Sequence, residues 1–363
     1  MVSFTLAASQ EYAYLASDLD AVTGMFPVIG KLMSLPRLDL GSSGIWATPL
    51  GFGCATLFRA SDPAQRCRLL HAAYDAGIRH FDVAPMYGLG RAEPELGRFT
   101  RAHRSEVTIA TKFGIRPTLA ARGLAYAQRP IRRAFESKST IRDQARAHAT
   151  APSRLLYDKG GYDASGARRS LQRSLRALKT DYVDLLLLHD PLPGSVRSDE
   201  VSSFLEDAHA AGLIRSWGIA GALETTGEVA RSFSGIPVLQ FPDDIFVQSL
   251  RRAPAGSAFI TFGVISRALA RIVQHLRSDE STRSRWKNII GADCGDPDIT
   301  SSFLLRSALQ ANSSGVVLFG ATQLPHIWSA ASALEKHLSN VSDESDTGSF
   351  MSLVHAELCL PAA

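Results

Sequence analysis

From about residue 48 onward, the chain alternates short apolar runs with longer stretches whose apolar positions recur every three or four residues. The runs LGFGCATL (50–57), HFDVAP (80–85), VTIATKF (107–113) and YVDLLLLH (182–189) read as strands. IRSWGIA (214–220), PVLQF (237–241), FITFGVI (259–265) and VVLFGA (316–321) bring the number to eight. YVDLLLLH is apolar at nearly every position, which suits a strand covered on both faces. Between the strands the period shifts to that of a helix. Asp62 and Pro63 supply an N-cap and a first-turn proline, and Gly77 stops the helix that follows. A helix over 167–179 puts Leu171, Leu175 and Leu178 on one face, and the next carries Val201, Phe204, Leu205 and Ala208 on one stripe.

Eight strand–helix units predict an α/β protein whose parallel sheet closes into a (β/α)8 TIM barrel, more than an open doubly wound sheet. The lack of a G-x-G-x-x-G opening a helix also weighs against a Rossmann domain. The expected organisation is one barrel domain over 37–338, preceded by an extension over 1–36 and followed by a polar, frayed tail over 339–363. The connection after the third strand, 116–165, is unusually long. Within it, 116–154 carries nine Lys and Arg against Glu136 and Asp143, with a basic helix expected around 130–149. Long β→α loops lie on the active-site face of a barrel, so this one is placed to cover a substrate; a solvated basic surface is the competing reading.

Composition narrows the partners. Of 363 residues, 45% are hydrophobic, and 39 Lys+Arg against 35 Asp+Glu leave a net charge of only +4, too little to argue for nucleic acid. Pairs such as Arg132-Arg133 and Arg168-Arg169 fit solvated faces better. Cys54, Cys67, Cys294 and Cys359 form neither a disulfide framework nor a zinc pattern, and His71, His80 and His103 lack metal-ligand spacing. No apolar run is long enough to span a membrane, and the N-terminus lacks a basic region of the signal-peptide kind. The expectation is a metal-free, cytoplasmic protein acting on a small molecule.

The chemistry gathers at strand ends. Strands two, three and four end in FDVAPMYG, TIATKFG and LLLLHDP, which brings Asp82 and Tyr87, Lys112, and His189 to adjacent strand ends. Taken singly, Asp82 reads as a turn cap, Tyr87 as a packed ring, Lys112 as a surface ion pair and His189 as a rim residue. Four such groups at consecutive strand ends of a barrel converge on one cavity instead. Together they can donate a proton to a carbonyl oxygen. A free phenol titrates near 10; a lysine cation beside it lowers that value, and a carboxylate keeps the lysine charged and placed. A histidine next to the phenol can orient the substrate oxygen.

Those three segments, in that order, resemble the signature segments of the aldo-keto reductase superfamily, and the similarity extends over roughly 37–338. LGFGCATL, SLQRSLRALKTDYVDLLLLH, the Leu304–Leu309 helix and VVLFGATQLPHI agree with it. The resemblance implies Tyr87 as general acid/base, Lys112 and Asp82 as tuners of its pKa, and His189 as the substrate-orienting group. It also implies hydride exchange between a carbonyl or sugar substrate and NADP or NAD held in extended form. Gln240 matches the glutamine that contacts the carboxamide, Phe262 the aromatic beneath the nicotinamide ring, and Gly320, Ala321 and Thr322 the pyrophosphate and ribose loop. Two departures stand out. Ala220-Gly221 replaces a common Ser-Asn pair, as in a branch acting on aldoses and pyridoxal-type substrates. His326 and Ala330 replace the usual Arg and Asn that hold a 2′-phosphate, which keeps NAD in play. A Schiff-base lyase using Lys112 and a slow cofactor-sensing regulatory protein are the rival readings.

Overall fold

The computed structural model describes residues 35–123, 156–339 and 343–359. Eight parallel strands close into a barrel in chain order: β1 (Leu50–Gly53), β2 (His80–Asp82), β3 (Thr108–Phe113), β4 (Val183–His189), β5 (Ile214–Ala220), β6 (Val238–Pro242), β7 (Ala258–Phe262) and β8 (Val316–Phe319). The seam is the pairing of β8 with β1, Val317 to Leu50 and Phe319 to Phe52. The expected TIM barrel is therefore the fold.

Around it run α1 (Pro63–Asp75), α2 (Ala92–Thr100), α3 (Ala164–Leu178), α4 (Ser198–Ala210), α5 (Leu223–Ala230), α6 (Ser266–Ser278), α7 (Glu280–Ile290), α8 (Pro297–Ala311) and α9 (Leu324–Ser339), then α10 (Asp343–Leu358). Asp62 caps α1 as its sequence predicts, accepting from the amides of Ala64 and Gln65 with Pro63 in the first turn. Among the described residues the regular alternation fails on both sides of β7. Between β6 and β7 the described chain makes only a 3-10 turn, Ser249–Arg252. Between β7 and β8 it inserts three helices, α6, α7 and α8.

The period-two geometry of the strands sorts the apolar runs into two cores. On β4, Leu186 and Leu188 face the helices while Leu185 and Leu187 face the barrel interior. Interior positions Ala110, Leu185, Leu187, Val238, Ile260, Val316 and Leu318 form one cluster. A small antiparallel hairpin, Leu38–Asp39 with Trp46–Ala47, closes that cluster by contributing Leu40, Ile45 and Ala47. Burying these side chains keeps water out of the barrel.

The end of the chain corrects one expectation. The segment after about 340 was expected to fray, but Asp343–Leu358 is a helix whose Phe350 and Val354 are fully buried. They pack with Ala268, Ile272, Trp286, Ile290 and Phe303 of α6, α7 and α8, and Phe350 stacks on Phe303 at 5.0 Å between ring centres. Glu357 then accepts from Trp286 and pairs with Arg285 and His275. The polar start of this segment hid an apolar face that only the inserted helices complete. The basic helix expected at 130–149, and most of the N-terminal extension, lie outside the described residues.

Candidate active site

Side chains on a strand alternate between the two faces, so the last inward position of each barrel strand points toward the same opening. Asp82 on β2, Lys112 on β3, His189 on β4, Gln240 on β6 and Phe262 on β7 hold those positions, two residues beyond inward-facing His80, Ala110, Leu187, Val238 and Ile260. Tyr87 arrives from a 3-10 turn, Tyr87–Leu89, anchored by its amide on the Ala84 carbonyl at 3.0 Å. The next residue, Gly88, has φ +58, and a Cβ there would overlap the Phe58 ring. Glycine is what lets this turn bring the phenol over the barrel mouth.

All five strand-end residues and Tyr87 line one cavity of about 700 Å³, together with Gly320, His326 and Ala330. Of the residues matched to a cofactor loop, Ala321 and Thr322 stand apart from this lining. Ala321 packs among the outer-core side chains, and the Thr322 carbonyl accepts from Gln65 of α1. The cavity also takes in residues that sequence alone did not single out: Thr56, Asp190, Asp298 and Ser301.

The chemical end is tightly bonded. Lys112 Nζ donates to both Asp82 oxygens at 2.6 and 2.7 Å and to the Val83 carbonyl at 3.2 Å. Gln240 Nε2 donates to Asp82 Oδ2 at 2.9 Å, so both carboxylate oxygens are occupied. Lys112 and Asp82 are only 2% and 3% exposed, a burial that a pair of charges tolerates only with partners this complete. Burial is the largest single effect and pushes the ammonium down, but Asp82 and Tyr87 together outweigh it and Lys112 titrates above its ordinary value. It stays charged.

The Lys112 ammonium lies 5.1 Å from the centre of the Tyr87 ring. It pulls the phenol's pKa down, as expected, yet it does not win. Burial is the larger effect, Asp82 adds to it, and Tyr87 titrates above the ordinary phenol value. Within this pocket the phenol is therefore held protonated, a correction to the expectation of a lowered pKa. The His189 ring meets that of Tyr87 edge-on at 6.0 Å. Burial and the nearby Lys112 and Lys159 cations push the imidazole down to about 3, so it is neutral and has one N–H to donate.

Three buried polar atoms of residues on the cavity wall have no hydrogen-bond partner among the described residues: Gln240 Oε1, His189 Nδ1 and Thr56 Oγ1. Such orphans cost free energy unless a ligand satisfies them. Gln240 is fixed on one side by Asp82 and offers its free carbonyl oxygen on the other, which fits an amide N–H₂ donor such as a nicotinamide carboxamide. Among the described residues no group of three His, Cys, Asp or Glu could hold a metal ion, and no helix is long and apolar enough to cross a membrane.

Comparison with known proteins agrees with this geometry. The aldo/keto reductase family model matches residues 49–233. D-threo-aldose 1-dehydrogenase of a Pseudomonas species is 34% identical over 195 residues, 52% of this chain and 54% of that protein. Pyridoxal 4-dehydrogenase of Microbacterium luteolum is 34% identical over 162 residues, 44% of each chain. The chain thus spans about half the length of the curated relatives it matches. Among solved structures, glycerol dehydrogenase from Gluconobacter oxydans superposes with a TM-score of 0.63 at 17% identity, covering 91% of this chain and 98% of that one. An aldo-keto reductase from Klebsiella pneumoniae in complex with NADPH gives 0.59 at 18% identity, covering 91% and 98%. This chain belongs to the aldo/keto reductase family.

Proposed function

We propose that this protein is an NAD(P)-dependent oxidoreductase that interconverts a carbonyl and an alcohol, with Tyr87 as the general acid/base. The observation that carries the proposal is the juxtaposition of a protonated, half-buried phenol, a sealed Lys112–Asp82 pair and a neutral imidazole around the orphaned Gln240 oxygen. Gln240 and Phe262 would hold a nicotinamide, which would supply or accept the hydride; Gln240 has a carbonyl oxygen to accept from its carboxamide, and the half-exposed Phe262 ring offers an apolar face.

In the reducing direction His189 holds the substrate oxygen by hydrogen bonding, and the Tyr87 hydroxyl gives that oxygen its proton as the carbonyl carbon takes the hydride. The resulting phenolate is stabilised by the Lys112 ammonium, which Asp82 keeps charged, until solvent returns the proton. Oxidation runs the same proton path backwards, with phenolate as base. The interior pair is placed to tune and not to react. A Schiff-base lysine must reach substrate as a free amine. Lys112 is 2% exposed and locked to a carboxylate, so the lyase reading loses its support.

The relatives named for aldose and pyridoxal dehydrogenation, and the Ala220-Gly221 pair, favour small aldehydes and aldoses as substrates. The test is steady-state turnover, followed by the absorbance of reduced nicotinamide, against aldoses, pyridoxal and simple aldehydes with each cofactor. Turnover of at least one class is expected. Tight cofactor binding without turnover of any would favour a cofactor-sensing protein instead.

A further inference from the structure

A second cavity, of about 640 Å³, opens beside the first. Its walls come from the hairpin Ile115–Pro117 with Tyr157–Lys159 and from the loop after β4. Asp190 is the one residue among the described chain that lines both cavities. It directly follows His189, and the backbone there is unusual: Asp190 has φ +49, one of four non-glycine residues with positive φ among those described. Its amide donates to the Ala220 carbonyl at 2.6 Å, which ties the bend to the end of β5. A left-handed aspartate is tolerated, but glycine would adopt this turn at less cost.

The side chain goes where another residue's would otherwise be. A Cβ built on Gly221 would stand 2.8 Å from Asp190 Oδ1, so the bare glycine makes room for the carboxylate. Among the described residues that carboxylate makes no side-chain hydrogen bond or ion pair. An exposed acceptor group with no side-chain partner among the described residues thus lines both the site of the reacting atoms and a polar chamber. Across the chamber are the donors Lys159, Arg197 and Tyr157 and the further acceptor Asp163. Burial keeps the Tyr157 phenol protonated, and hence a donor.

The charges select among ligand classes. An anionic substituent would meet Asp190, and a cationic one would meet Lys159 and Arg197. A neutral group bearing several hydroxyls both donates and accepts, and satisfies both walls. We infer that Asp190 is a specificity-determining residue that accepts hydrogen bonds from the non-reacting hydroxyls of a polyhydroxylated carbonyl substrate, with the second cavity as their subsite. This rests on the oxidoreductase reading above.

The test compares an aldose with a short unsubstituted aldehyde, each by kcat/KM. Asp190→Gly suits the positive φ, so it deletes the carboxylate without straining the turn. Loss of a hydrogen bond to a charged acceptor should lower the aldose-to-aldehyde ratio by about tenfold or more. The loss should sit in a raised aldose KM more than in kcat, and Asp190→Asn, which still accepts, should recover part of it. A ratio that moves by less than about threefold in an active Asp190→Gly enzyme overturns the inference. So does an equal loss on both substrates, which marks a structural role. A wild-type protein that turns over no carbonyl with either cofactor overturns the oxidoreductase reading itself, and this inference with it.

Discussion

The two ends of the main cavity are built on opposite principles. At the chemical end, Asp82, Lys112, Gln240 and His189 stand on strands, none more than 8% exposed, and every oxygen of Asp82 is bonded. At the other end the wall is made of the first turns of α8 and α9, where Asp298, Ser301 and His326 meet solvent. Strands fix side chains through two neighbours and a packed interior, so reacting groups are held before substrate arrives. Helix starts hold theirs through a cap and a dipole, and leave room for substitution. The lesson is that the proposed chemistry rests on fixed groups, whereas a cofactor lying along the exposed end would meet side chains that single substitutions can revise.

The charge census sharpens this contrast. Among the described residues Lys112 is the only Lys or Arg that lines the cavity, and it is consumed by Asp82. The start of α8, which would otherwise attract an anion, already carries the capping Asp296 and the first-turn Asp298. An adenosine 2′-phosphate arriving there would meet carboxylates, with His326 in place of a fixed cation.

The largest effect is expected at the phenol. Tyr87→Phe should lower kcat by roughly two orders of magnitude or more, as loss of a general acid does, while cofactor titrations stay close to wild type. A variant that keeps more than about a tenth of wild-type kcat would show that the proton comes from elsewhere.

Next is the tuning pair. Because the phenol is held above its ordinary value, reduction, which needs it protonated, should be insensitive to pH through the neutral range and fall only at strongly alkaline pH. Oxidation, which needs phenolate, should rise over that same alkaline limb. Lys112→Met removes the cation that pulls the phenol down, so the oxidation limb should move to still higher pH and the rate at neutral pH should drop by about tenfold or more. A pH–rate profile that the substitution leaves unchanged would remove Lys112 from the mechanism.

The smallest effects belong to the exposed end. Wild-type protein should bind NAD(H) at least as tightly as NADP(H). Asp298→Asn should improve NADP(H) binding by about fivefold to tenfold, the scale of one repulsive charge at a wet surface. His326→Arg should improve it by about 1 kcal/mol by adding a planar, permanent cation. Both gains should shrink in high salt, since exposed charges are screened. Fluorescence titration of both cofactors at low and high salt measures this. A strong NADP(H) preference that neither substitution alters would place the phosphate's partner elsewhere.

Much of the site was legible because barrel geometry is local and periodic. Asp82, Lys112 and His189 end apolar strands, and a closed barrel brings such ends together whatever the loops do. Gln240, Phe262, Gly320 and His326, which only the resemblance pointed to, also reach the cavity wall. Ala321 and Thr322 do not, because after β8 the chain turns back toward α1 and takes them into the outer packing. The direction of the Tyr87 shift was also out of reach. Sequence shows that a lysine is near, but the balance between its field and burial depends on how completely the pocket excludes water.

The sequence by itself determined the closed parallel barrel and the four polar groups gathered after its second, third and fourth strands, which rest on short-range periodicity, and it carried segments that resemble the family's signature. Tertiary structure decided what depends on elements far apart in the chain. The apolar face of α10 has a partner only once α6, α7 and α8 are assembled. Asp190 finds space only because Gly221, on a neighbouring strand end, has no side chain. Asp298 joins His326 at one cavity wall only when α8 packs against α9. Contacts of that kind depend on three-dimensional closure, and no local pattern of hydrophobic and polar residues encodes them.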